Sequence, residues 1–554
     1  MVVKQKLTIP ALINESVERY GEQTSLVFAG EENYTYKNLG DDIALVAELL
    51  IGIGVKKGDK VAIFSTNMPN WGVAFFAVLS LGAVTVPVLP DFHPNEVNNI
   101  IEHSEAGVIF ISQELYPKNE KFLQENCRHI ILINDFTYIG QGSASSRKEV
   151  FQPSKPSVYK GLDNYAVEET DLASIIYTSG TTGNSKGVML THKNLAWTTQ
   201  QCNELQEINP NDRFLSILPL SHTLENTVGF LLPMKYGASI HYLRKPPTAS
   251  VLMPALQQVK PTIMLAVPLI IDKIFRLKIL PKFQGNRVIR MLYKVPPIRK
   301  KLHQVAGKKL LGTFGGELQF FGIGGAKLDS TVERFLLESG FPYAIGYGLT
   351  ETSPLLAGTT VNNPRIGSTG PAMPGVELRI ADPDPATGDG EVQAKGQNVM
   401  RGYYKSPENT KEVFTSDGWF RTGDKGRIDK DGFLYIKGRI KTMIVGASGE
   451  NIFPEEIESV INRRRFVLES LVVQKKGKLV AMIHLNMEEI EKHFRQLHSD
   501  AKNYVNEKAE EILNEIHLKV NEELNKFSRL QKVTLQPEPF KKTPTKKIKR
   551  FLYY

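Results

Sequence analysis

The 554 residues are too many for one core of usual size, and with 41% hydrophobic and 23% charged residues they predict a globular chain of at least two domains. Cys127 and Cys202 are the only cysteines, which excludes a disulfide framework and fits a reducing, cytoplasmic setting. The net charge of +9 is uneven: from Lys273 to Lys309 there are 12 Lys/Arg and no Asp or Glu, and no nucleic-acid motif accompanies that charge.

In chain order, MVVKQKLTIPALINESVERYG lacks the features of a signal peptide and reads as an amphipathic first helix. The short apolar runs KVAIFS, GVIFIS and HIILIN alternate with helical patterns, which predicts layered α/β structure with largely parallel sheets. Residues 71–90 are apolar enough to span a bilayer, but Gly82, the β-branched run from Val84 and the prolines at 87 and 90 predict a buried helix followed by a buried strand. Residues 140–161 read as a long surface loop.

SIIYTSG then predicts a strand running into a loop, and VMLTHKNLAW a strand edge and a helix start. The loop between them, YTSGTTGNSKG from Tyr177 to Gly187, packs three glycines, five Ser/Thr hydroxyls and a lysine into eleven residues. Backbone N–H groups can approach an anion closely there, beside a cation. It is not a Walker loop, because Lys186 follows Ser185 and precedes Gly187.

Near residue 440 the character changes: turn-linked strands, with Asp431-Gly432 as a hairpin turn, give way to a smaller carboxy-terminal portion. Within it, apolar residues from Ile490 to Phe527 recur at three- and four-residue spacing, predicting a long amphipathic helix or a helical hairpin. A basic segment, KKTPTKKIKR, closes this portion.

Four more motifs follow the loop in order: LPLSHTLE at 218–225, GIGGAKL at 322–328, YGLTETSP at 347–354 and TGD at 422–424. With KGRIKTMIVGASGENIFPEEIE and KTPTKKIKR, the set resembles the adenylate-forming superfamily of acyl-CoA synthetases, luciferases and peptide-synthetase adenylation domains. Its wording is most similar to long-chain fatty acid–CoA ligases. The resemblance implies a large α/β domain over 1–438, a hinge at 439–442 about Lys441, and a small mobile α+β lid over 443–554. It implies that ATP and Mg2+ activate a medium- to long-chain acid as acyl-AMP, with coenzyme A as the acceptor. An acyl carrier protein acceptor, an aryl-CoA ligase and a silent acyl or nucleotide binder stand as alternatives.

The resemblance also assigns residues. Thr178, Ser179, Gly180, Thr181, Thr182, Gly183 and Lys186 would hold the β- and γ-phosphates. Gly325, Ala326, Lys327, Tyr347, Gly348 and Leu349 would line the adenine site, Thr350 would bond the α-phosphate, and Glu351 would ligate Mg2+. Asp424, with Ile436 and Arg439, would receive the ribose, and Lys547 would bridge carboxylate and α-phosphate. Gly449, Glu450 and Asn451 would line the pantetheine channel, while His222, Gly229 and Phe230 would shape the acyl site. The basic stretch 273–309 offers itself to an anionic membrane, such as the inner membrane face, or to an acidic carrier protein.

Overall fold

The computed structural model describes residues 6–139, 148–150, 166–178, 185–285, 287–445, 451–475, 477–494, 501–543 and 548–554. It divides into two compact units. One comprises Met1–Leu378, Ala394–Phe420 and Asp429–Leu434, and the other comprises Arg379–Gln393, Arg421–Ile428 and Tyr435–Tyr554. The compact second unit thus takes in chain on the amino-terminal side of the hinge expected at 439–442.

Two large sheets build the first unit. In the nine-stranded sheet, Val84–Val88, Lys60–Phe64, Val108–Ile111 and His129–Leu132 lie side by side and parallel. Their residues are almost all buried, as expected of strands covered on both faces. The helix Pro69–Ser80 is buried from Trp71 onward and leads into the buried strand Val84–Val88, so residues 71–90 take the predicted helix-then-strand form. Among the described residues no helix is long and apolar enough to cross a membrane. The expectation of an irregular loop over 140–161 needs one correction. Lys148–Val150 is an edge strand, antiparallel to Thr137–Ile139, because its extended backbone completes that strand's open side; 140–147 and 151–161 lie outside the described residues.

The seven-stranded sheet runs in the order Leu26–Phe28, Ser239–Tyr242, Arg213–Ser216, Ile263–Ala266, Phe320–Ile323, Tyr343–Gly348, Leu355–Gly358. Its first six strands are parallel and the last is antiparallel. Parallel strands deliver their carboxyl ends to one edge, and the turns that follow them are the natural place for ligand groups.

In the second unit, Val467–Lys475, Lys478–Leu485 and Lys532–Leu535 form a three-stranded sheet. The apolar periodicity after Ile490 resolves into the helices Met487–Phe494 and Ala501–Glu523. Asp431 and Gly432 do form the turn between Phe420–Ile428 and Leu434–Arg439: Gly432 has φ +83° and its N–H donates to the Asp429 carbonyl at 3.0 Å.

Candidate active site

At the carboxyl edge of the seven-stranded sheet, separate motifs meet because a glycine lets them. A Cβ on Gly324 would stand 3.1 Å from Leu224 Cδ2 and 3.6 Å from the Gly346 carbonyl oxygen, so the 218–225, 322–328 and 347–354 segments converge there. Gly325, Ala326 and Lys327 form the exposed turn after Phe320–Ile323, and Gly325 has φ +84°. Asp329 closes the turn by accepting the Thr331 N–H at 2.8 Å as the cap of helix Ser330–Ser339.

The next strand, Tyr343–Gly348, carries a bulge at Tyr347/Gly348. A Cβ on Gly348 would fall 1.7 Å from the Pro354 carbonyl oxygen, so only glycine lets the chain double back. Leu349 N–H donates to that oxygen at 3.0 Å and Thr352 Oγ1 donates to it at 2.6 Å. Thr350 and Glu351 therefore sit half-buried on one fixed turn, Thr350–Thr352.

The glycine-rich loop springs from Leu172–Thr178 and Lys186–Thr191, which pair antiparallel with Thr178 opposite Lys186. Ser179, Gly180, Thr181, Thr182 and Gly183 lie outside the described residues. Lys186 Nζ donates to Asn409 Oδ1 at 2.8 Å and stands 4.9 Å from the centre of the Tyr403 ring. The Tyr403 hydroxyl in turn donates to Glu351 Oε1 at 2.9 Å. One phenol thus holds the loop lysine on its face and the turn carboxylate on its oxygen. Sequence reasoning passed over Tyr403 and Asn409. Their signal is RGYYKSPENT, where Gly402, with φ +146° and only 2.7 Å from a Cβ to Thr410 Cγ2, precedes an aromatic pair.

Among the described residues no group of three His, Cys, Asp or Glu could cage a metal ion. Glu351 fits Mg2+ in the other mode, one carboxylate beside water and phosphate oxygens, since its oxygens have lone pairs beyond the single bond from Tyr403.

His222 Nδ1 accepts the Leu224 N–H at 3.3 Å. The chain then forms a π-helix, Glu225–Leu231, all of it buried. Ser216 Oγ donates to Glu225 Oε1 at 2.5 Å, and burial pushes this carboxyl up to about 8. The side-chain oxygens of Thr223 and Thr227, the Asn226 amide and Glu225 Oε2 find no partner among the described residues. A Cβ on Gly229 would lie 2.6–2.8 Å from the Glu225 carboxyl, so glycine makes room for it. Phe230 is fully buried in an aromatic cluster with Trp71, Phe75 and Phe76. Val228 on this helix and Leu232 just after it border a cavity of about 20 Å³, room for about one water.

In the second unit Asp424 is buried on Phe420–Ile428 and pairs with Arg439 Nε at 2.8 Å; Ile436 lies on the same strand as Arg439. The Asp424 N–H donates to Thr422 Oγ1 at 3.1 Å, which fixes the strand beneath the carboxylate. Lys441 is exposed on the turn Ile440–Thr442, which Thr442 anchors through Glu455 at 2.9 Å. Gly449, Glu450 and Lys547 lie outside the described residues, and Asn451 is described only as backbone, opposite Val445. The chain on either side of Lys547 is tied down. Lys542 pairs with Glu469, Lys549 N–H donates to the Lys541 carbonyl at 2.8 Å, and Arg550 reaches Glu458 at 2.5 Å and Glu455 at 3.5 Å.

A half-exposed carboxylate and a lysine braced by one tyrosine, at the carboxyl edge of a parallel sheet beside a glycine-rich hairpin, define a site for a polyanion and its counter-cation. Residues 13–404 match the AMP-binding enzyme family, and the chain belongs to that family. The long-chain-fatty-acid–CoA ligase FadD15 of Mycobacterium bovis is 29% identical over 93% of this chain and 89% of its own length. The chloroplastic long-chain-fatty-acid–[acyl-carrier-protein] ligase AEE15 of Arabidopsis thaliana is 29% identical over 87% of this chain and 77% of that protein. Among solved structures, ATP-bound MatB from Rhodopseudomonas palustris has a TM-score of 0.72 at 23% identity over 98% of this chain and 97% of that one, a likeness of fold.

Proposed function

We propose that this enzyme couples a medium- to long-chain fatty acid to coenzyme A in two steps. A carboxylate oxygen of the acid attacks the α-phosphorus of ATP, the bond to the β-phosphate oxygen breaks, and pyrophosphate leaves. The thiol sulfur of coenzyme A then attacks the acyl carbon, AMP departs and the thiol proton goes to solvent. The observation that carries the reading is the bracing of Lys186 and Glu351 by Tyr403, which supports a cation for phosphate and a carboxylate for Mg2+ on one fixed frame. When bound, Mg2+ would neutralise phosphate charge.

The first step brings two anions together, so donors and cations must offset their repulsion. Residues 178–183 with Lys186 hold the β- and γ-phosphates, and Thr350 bonds the α-phosphate. The turn at Gly325–Lys327 and Tyr347–Leu349 receives adenine. Asp424, held by Arg439 beside Ile436, accepts the ribose hydroxyls. Lys547 bridges carboxylate and α-phosphate, while His222, Gly229 and Phe230 shape the acyl end. In the second step the carboxy-terminal unit acts as a lid turning about Lys441, and residues 449–451 line the pantetheine path. A cytoplasmic location fits this reading, and both cysteines are buried free thiols.

The test is Lys547→Ala, assayed in each half-reaction. ATP–pyrophosphate exchange driven by a fatty acid should fall by at least about 10²-fold, while coenzyme A still consumes preformed acyl-AMP. Exchange at the wild-type rate would overturn the assignment. An acyl carrier protein acceptor is the second reading, favoured by the plant relative, and one labelled acid offered both thiols separates the two.

A further inference from the structure

The segment 273–309 carries 12 Lys/Arg and no acid, and its described residues are largely helical; among these helices Arg287–Tyr293 buries no residue. Val288, Met291, Leu292 and Val295 are 63, 72, 41 and 43% exposed. Val288, Met291 and Leu292 lie at i, i+3 and i+4 on that helix, which puts them on one stripe, and Val295 follows in the turn just beyond it. Exposed apolar residues are ordinary when scattered, but a contiguous stripe marks a surface that meets something apolar. Arg287, Arg290 and Lys294 flank it, all exposed, and among the described residues none of them is paired with a carboxylate.

The stripe stands on a firm base. Tyr293 stacks on Phe283 with ring centres 5.1 Å apart, and its hydroxyl shares a hydrogen bond with His303 Nε2 at 2.9 Å. His303 packs edge-on against Phe335, and Arg299 clasps Glu338 through two bonds of 2.7 and 3.0 Å. Arg276 is likewise committed, to Asp272 and Asp329. Arg299 and Arg276 therefore belong to the fold, whereas Arg287, Arg290 and Lys294 beside the stripe face outward, as do Lys300 and Lys301 further along.

We propose that Arg287–Val295 docks the enzyme on an anionic lipid bilayer, with Val288, Met291, Leu292 and Val295 entering the headgroup–acyl boundary and Arg287, Arg290 and Lys294 meeting lipid phosphates. An acidic carrier protein would answer the charge but leaves the apolar stripe without a purpose. A second copy of this chain would set like charges against each other. The inference rests on the surface alone and not on which acid the enzyme activates.

The experiment is vesicle flotation of the full-length protein, which needs no turnover. Binding is expected to vesicles holding roughly one quarter phosphatidylglycerol, with none to pure phosphatidylcholine, and it should weaken at least about tenfold from about 50 to about 500 mM salt. Val288→Ser with Met291→Ser keeps every charge and should weaken flotation about tenfold, and Arg287→Glu with Arg290→Glu and Lys294→Glu should abolish it. Exchange activity with a short, water-soluble acid should match wild type in both variants, which certifies their folding. Wild-type protein that does not float, or a serine variant that floats like wild type, overturns the proposal. So does an acidic carrier protein that binds wild type, loses the charge-reversed variant and finds no competition from anionic vesicles.

Discussion

Replacing Glu225 with glutamine should make the enzyme progressively more stable relative to wild type as pH rises. Burial holds the folded carboxyl at about 8, against about 4.3 for an exposed one. Between those values the unfolded chain has lost a proton that the folded chain keeps. Each pH unit in that window therefore lowers folding stability by ~1.4 kcal/mol, and the stabilisation present below it is gone once the pH passes the folded value. Glutamine can still accept the Ser216 hydroxyl through its carbonyl oxygen; its amide group, where Oε2 had no partner, adds an offset that does not change with pH. From about pH 5.5 to about pH 7.5 the difference between variant and wild type should move by ~3 kcal/mol. A unit of roughly 400 residues has an unfolding entropy of about 0.9 kcal/mol/K, so the Tm difference should move by about 3 °C in favour of glutamine. Paired thermal melts across that range measure it. A Tm difference that stays flat, or moves the other way, refutes the neutral, buried carboxyl.

Tyr403→Phe removes the bond to Glu351 while keeping the ring under Lys186, and a hydrogen bond to a charged group is worth ~1.5–3 kcal/mol. The Mg2+ concentration needed for half-maximal exchange should rise about tenfold or more, and an unchanged Mg2+ dependence would deny that the bond positions Glu351. Arg550→Met leaves Glu458 buried beside Val472 without its cation, at a cost of ~3–5 kcal/mol to the second unit, and adding Glu458→Gln should recover part of that in a melt. Lys441→Pro should adenylate yet fail to form the thioester; equal loss of both half-reactions would speak against a hinge there.

The parallel α/β architecture was legible because strands buried on both faces read as unbroken apolar runs, and Val84–Val88 and Val108–Ile111 do so without any reference to their neighbours. Motif wording assigned Gly348 and Gly325 to the adenine site, but why glycine stands at 348 was not legible: the carbonyl that forbids a side chain there belongs to Pro354 and appears only in three dimensions. Tyr403 was not legible. It reaches Glu351 across 52 residues, because the short strand Gly402–Tyr403 pairs beside Lys186–Thr191, and a two-residue edge strand leaves no periodicity to read. The basic stretch showed its charge, but not that Arg276 and Arg299 are bound inward while Arg287, Arg290 and Lys294 face out. Composition counts charges; only packing assigns them.

Tyr403 also answers a problem that any site for phosphate and metal must meet. A lysine and a carboxylate brought close to each other tend to pair, and a paired lysine is a poor ligand for an incoming anion. Here Lys186 directs its hydrogen bond to the neutral Asn409 and rests on an aromatic face, while Glu351 receives a phenol proton. Both charges are oriented by neutral groups, so neither is consumed by the other. In the proposed reaction a neutral frame would cost less to leave than an ion pair when phosphate and cation bind, and it would return the site to the same geometry once pyrophosphate leaves. On this argument Asn409→Asp should do more harm than Asn409→Ala: the new carboxylate would bind Lys186 as an ion pair, and exchange should slow more than when the amide is simply removed. The reverse order in steady-state exchange rates would show that Lys186 works from within an ion pair.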